Sequence, residues 1–101
     1  MFENVNFEPG EIVYNDLQID EHDSLEKHLE NLKEDLFQVN YEDRFIIDVG
    51  WHPSFSKDGV FRVMVIEDFE WDSPIYQKTC RSMVELKICI EESVAAVQSR
   101  L

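Results

Sequence analysis

The sequence is short of positive charge. Only 9 of its 101 residues are Lys or Arg, against 22 Asp or Glu, for a formal net charge of −13. Proteins that bind DNA or RNA draw much of their affinity from cations that neutralise phosphates, so this balance excludes a nucleic-acid binder. It excludes attachment to an anionic membrane surface on the same ground. Glycine is scarce as well, with three residues, which argues against a nucleotide cradle. No glycine-rich phosphate loop, nucleophile elbow, HExxH or CxxC pattern occurs, so catalysis has no motif to stand on. The two cysteines are Cys80 and Cys89. The opening Met-Phe-Glu-Asn-Val-Asn-Phe-Glu lacks the basic region and apolar run of a secretion signal. The expectation is a cytoplasmic protein with both thiols reduced. No run approaches the ~20 apolar residues of a membrane span.

What is present is enough for one core. Hydrophobic residues make up 44% and aromatics 12%, which argues against disorder, and the length fits a single domain over 1–101. The charge is uneven. Residues 1–43 hold 13 acids and 2 bases, net −11, whereas residues 44–101 hold 9 acids and 7 bases, net −2. Such a field favours fast encounter with a basic protein partner.

Pro9-Gly10 is a turn signal, and Glu11–Ile19 reads as a strand broken at Asn15-Asp16. Asp23 followed by Glu26 reads as a capping box, and Leu25, Leu29, Leu32 and Leu36 form the stripe of an amphipathic helix over 24–38. Phe45, Ile47, Val49 and Trp51 alternate, as do Phe61, Val63 and Val65, giving a hairpin across the His52–Gly59 loop. Ile75–Arg81 reads as a further strand. Ser82-Met-Val-Glu85 is a second capping box, and Met83, Leu86, Ile90, Val94, Val97 and Leu101 keep helical spacing after it. The expected fold is α+β, an antiparallel three- to four-stranded sheet with two helices packed on one face, in the order β-α-β-β-β-α.

Two acidic groups stand out as candidate partner-binding residues. Glu26, Glu30 and Glu34 at i,i+4 spacing would form a negative ridge, although like charges so placed cost a helix a few tenths of a kcal/mol per pair. A solvated face with no partner is the competing reading. The segment Glu67-Asp68-Phe69-Glu70-Trp71-Asp72 surrounds two aromatics with four acids, a composition suited to anchoring a partner that carries Arg or Lys. Its competing reading has Trp71 folded back over the core. Asp20-Glu21-His22-Asp23 with His28 has no calcium-loop spacing, and His52 has no second ligand nearby in sequence. No metal or cofactor is expected.

Four segments together carry a family resemblance: Phe45-Ile-Ile-Asp-Val-Gly-Trp51, Gly59-Val-Phe-Arg-Val-Met-Val-Ile66, Trp71-Asp-Ser-Pro74 and Ser82-Met-Val-Glu-Leu86. Over about residues 43–98 the chain resembles the small immunity proteins of bacterial polymorphic-toxin and contact-dependent growth-inhibition systems. The resemblance implies a cytoplasmic antitoxin that binds one cognate toxin domain, often a nuclease, and blocks its active site or substrate path. It carries no functional residues over. The acidic balance and the missing catalytic motifs independently point to a basic partner and away from an enzyme. A subunit or adaptor of a stable complex, marked by a large apolar patch in place of an acidic face, is the alternative.

Overall fold

The computed structural model describes residues 4–17 and 24–101. Period-two alternation decides most of its architecture. Five strands, β1 (Glu11–Asn15), β2 (Phe37–Tyr41), β3 (Phe45–His52), β4 (Val60–Glu67) and β5 (Tyr76–Cys80), form one antiparallel sheet in sequential order. A 3₁₀ helix, Leu25–Asn31, lies between β1 and β2, and α1 (Met83–Gln98) follows β5. β3 and β4 pair along their whole length, from Phe45 opposite Glu67 to His52 opposite Val60. Alternation puts Phe45, Ile47, Val49 and Trp51 with Phe61, Val63 and Val65 in one core, which Met83, Leu86, Ile90, Val94 and Val97 of α1 cover. Leu25 and Leu29 of the 3₁₀ helix pack against the same core. Among the described residues the opposite face holds a small cluster of Ile46, Met64 and Ile66. Among the described residues no helix is long and apolar enough to cross a membrane.

The N-cap half of the second capping box forms as the sequence indicates, while the Glu85 carboxylate binds the Ser82 hydroxyl. The Ser82 hydroxyl accepts from the Glu85 amide (3.1 Å) and donates to Glu85 Oε1 (2.9 Å), an arrangement that stabilises a helix start by about 1 kcal/mol. β5 and the start of α1 fall where the sequence places them, but α1 ends at Gln98, so Leu101, 55% exposed, is not part of its core stripe. Trp51 is the aromatic centre of the core, edge-on to Phe61 at 4.9 Å, with Nε1 donating to the Ser56 carbonyl (2.8 Å).

Three expectations are corrected. The helix over 24–38 stops at Asn31 and is 3₁₀ throughout. Leu32 and Leu36 are fully buried, but on an extended segment that hydrogen-bonds to β3: Trp51 N to Lys33 O (2.8 Å) and Leu36 N to Val49 O (3.0 Å). Sheet pairing outbids a helix already weakened by like charges. The strand count is five, not three or four, because Phe37-Gln38-Val39-Asn40-Tyr41 forms β2 with Phe37, Val39 and Tyr41 buried. β1 ends at Asn15 and not at Ile19. Residues 18–19 of that expected strand and the Asp23 cap lie outside the described residues. Ser24 caps the 3₁₀ helix, its hydroxyl accepting from the Glu26 amide (3.3 Å).

The extended segment also explains Gly50. A Cβ there would overlap the Glu34 carbonyl oxygen, so the chain can pass along β3 only where a side chain is missing.

Candidate partner-binding site

The two acidic groups picked from the sequence do not meet. Glu34 lies against Gly50 and His52, at one end of β3. Glu67 pairs with Phe45 at the other end, roughly 17 Å away along extended chain. The Glu26–Glu30–Glu34 ridge does not exist as a ridge. Glu34 is past the helix end, and at three residues per turn Glu26 and Glu30 point about 120° apart. Glu26 lines a surface depression with Arg81 and Ser82, and the Glu34 carboxylate lies 3.9 Å from His52 Nδ1. Glu26 and Glu34 therefore have local company, whereas Glu30 is in no ion pair among the described residues.

The other end differs. Asp68, Phe69, Glu70, Trp71 and Asp72 are all exposed, Phe69 at 56% and Trp71 at 43%. Trp71 is not a core lid; Trp51 fills that role. The Asp68 amide donates to Arg44 O (2.8 Å), which fastens this turn to the neighbouring β2–β3 turn. That turn contributes two further exposed acids, Glu42 and Asp43. Asn40 clamps Asp43 from both sides, Nδ2 donating to its carboxylate (2.7 Å) and Oδ1 accepting from its amide (2.8 Å). Among the described residues, none of Glu42, Asp43, Asp68, Glu70 and Asp72 is in an ion pair. Glu67 behaves differently, since its two oxygens lie 3.9 Å from Arg44 and from Arg100. It ties the turn to the end of α1 and is a structural member of the group.

Both turns are bent through the left-handed region without glycine. Glu42 and Asp43 have φ of 56° and 60°, and Asp68 and Phe69 have 54° and 61°. Tight turns between twisted strands favour this conformation, usually with Asn or Gly in it. Aspartate tolerates it; glutamate and phenylalanine do so at a cost of about 1 kcal/mol or more each. Local strain of this kind gathers at functional sites. Here it holds Phe69 out into solvent beside three carboxylates.

The sheet face away from α1 is a second feature. Asp48 is 7% exposed and accepts from Gln38 Nε2 (2.9 Å). Burial raises its carboxyl above the usual range, with nearby Asp35 acting in the same direction. Burial, and then Arg62, lower the His52 pKa below 6.5. His52 Nε2 and Arg62 Nε are buried without a hydrogen-bond partner.

The two thiols are free and buried. Burial, then the neighbouring Cys89, pushes Cys80 up to about 12, so it is a poor nucleophile. Among the described residues no group of His, Cys, Asp or Glu could hold a metal ion; Asp20–Asp23 lie outside them.

Sequence reasoning missed Glu42 and Asp43. The signal was the pair of apolar alternations on either side, Phe37-Val39-Tyr41 and Phe45-Ile47-Val49, which marks Glu42–Arg44 as a hairpin turn. Comparison of the chain with known protein families, curated proteins and solved structures gives no match.

Proposed function

We propose that this chain is an immunity-type binding protein that neutralises a basic toxin domain, a nuclease being the foremost candidate, through the paired turns at one end of its sheet. It acts by occupying its partner and not by turning over a substrate. The observation that carries this reading is the exposure of Phe69 and Trp71 among five carboxylates that are in no ion pair among the described residues, on turns bent against their residues' backbone preference. Carboxylates at the rim speed encounter with a cationic surface, and aromatics at the centre supply desolvated contact that slows release. The net charge of −13 extends the attraction beyond contact range.

The rival reading, a subunit of a stable complex, calls for a large apolar patch. The exposed apolar residues of the helix and sheet are divided between α1, with Val84, Ile88 and Ala95, and β1, with Ile12, Val13 and Tyr14. Among the described residues these two elements are not in contact, so each patch is small, which favours the acidic end. Co-expression with the product of the adjacent gene tests the proposal. Growth arrest by that product, relieved by this chain and not by a variant with Trp71→Ala and the five turn acids neutralised, supports it. Equal relief by the variant refutes the placement, and an innocuous neighbour refutes the toxin.

A further inference from the structure

The two edges of the sheet are not alike. β5 carries Lys78, whose ammonium is 2.8 Å from Glu92 of α1, and Tyr76 donates to the same carboxylate (2.8 Å). A charged side chain bound to a covering helix is a usual way to blunt a sheet edge. Among the described residues β1 has neither protection. All five of its residues are exposed, with Ile12 at 47% and Val13 at 51%, and β2 is its one neighbour in the sheet among those residues. An Ile-Val-Tyr edge without a basic residue is a template for another strand. The pairing with β2 shifts between Ile12 and Tyr14, a bulge that re-aims side chains. Beside it, Val13, Tyr14, Asp35 and Gln38 line a cavity of about 400 Å³.

We propose that β1 receives an extended, basic segment of a partner protein, added as a sixth strand, with one Arg or Lys side chain entering the cavity toward Asp35. The edge supplies main-chain hydrogen bonds, which bind without regard to sequence, and the cavity supplies selection. Selection is for a cation. Asp35 lies close enough to Asp48 to disfavour its charged form, and Lys33, the nearby base, is already engaged by Asp16. A second copy of this chain is disfavoured by the net charge of −13 and by Glu11 at the start of the edge. The inference shares the reading of this chain as a partner of basic proteins, but it does not depend on the paired turns.

The test uses a short capped peptide of alternating Val and Arg, titrated into the isotope-labelled protein. Amide shifts in Ile12–Asn15 and Gln38 are expected. Methylating alternate peptide nitrogens should weaken binding at least about tenfold, because the lost bonds are those of the strand pair. Asp35→Asn should weaken it about threefold to tenfold and flatten its salt dependence. Val13→Lys, which puts a cation on the edge, should abolish it while the remaining amide spectrum holds. No binding, indifference to methylation, or self-association of the chain through β1 overturns the proposal. Shifts confined to Asp68–Asp72 also overturn it, yet leave the paired-turn reading standing.

Discussion

The two ends of the sheet put the same residue types to different uses. Where Trp51, Phe61 and Cys80 line up, the chain is packed and two of its acids are engaged: Glu34 faces His52, and Asp16 pairs with Lys33. At the opposite end, Glu42, Asp43, Asp68, Glu70 and Asp72 are in no ion pair among the described residues, and the backbone is held in left-handed turns that place aromatics in water. A surface acid costs a protein little wherever it sits. The packed end is not without such features, since Phe55 is 57% exposed at φ 61° and Asp35 and Asp58 are in no ion pair among the described residues. What sets the other end apart is that two left-handed turns are fastened together there, with five such acids and two exposed aromatics. One end serves stability and the other serves contact.

Gly50→Ala should break the packed end and give the largest effect. A methyl group there meets backbone and not a movable side chain, so the loss should be about 3 kcal/mol or more by denaturant unfolding. A loss under about 1 kcal/mol would mean that Lys33–Asp35 does not pass so closely along β3.

Trp71→Ala comes next and touches the other end alone. It should speed dissociation from the partner by about 2 kcal/mol equivalent, while stability changes by less than about 1 kcal/mol. A large stability loss with unchanged dissociation would return Trp71 to a structural role.

The third prediction concerns acid. The folded-state pKa of His52 is lowered, chiefly by burial, so its contribution to stability is complete above 6.5 and is lost as pH falls through the lower folded value. The wild type should lose stability below pH 6.5 relative to His52→Gln. Asp48 works in the opposite sense, because its folded pKa is raised above 3.8 and acidification through that range favours the fold. Parallel curves for His52→Gln and wild type would show that His52 does not titrate differently on folding.

The smallest effect is the most diagnostic of strain. Phe69→Gly should relieve the left-handed backbone and leave stability unchanged or raised by up to about 1 kcal/mol, part of the gain being offset by greater freedom in the unfolded chain. Partner binding should weaken at the same time. Loss of stability would show that Phe69 is held by packing.

Much of this fold was legible in the sequence. The β3–β4 hairpin, β5 and the start of α1 follow from alternation and from Ser82–Glu85, because in each the local signal and the tertiary outcome agree. The 24–38 segment was misread because its leucines satisfy two periods. Spacing of three and four suits a helix, yet Leu32 and Leu36 reach the same core from an extended strip that pairs with β3. That strip exists only because Gly50 leaves room for it, a contact between residues distant in sequence. The candidate site was half legible for the same reason. Asp68–Asp72 advertises itself by composition, whereas Glu42 and Asp43 join it only through the pairing of Phe45 with Glu67.

The central claim is that the paired turns meet the partner. Its most direct test is the association rate with the adjacent gene product at two salt concentrations, for two sets of neutralised acids. Replacing Glu42, Asp43, Asp68, Glu70 and Asp72 by Gln or Asn should slow association about tenfold or more at low salt and flatten the salt dependence. Replacing Glu26, Glu30 and Glu34 in the same way should change it less than about twofold. The reverse order, or equal slowing by both sets, would contradict the account.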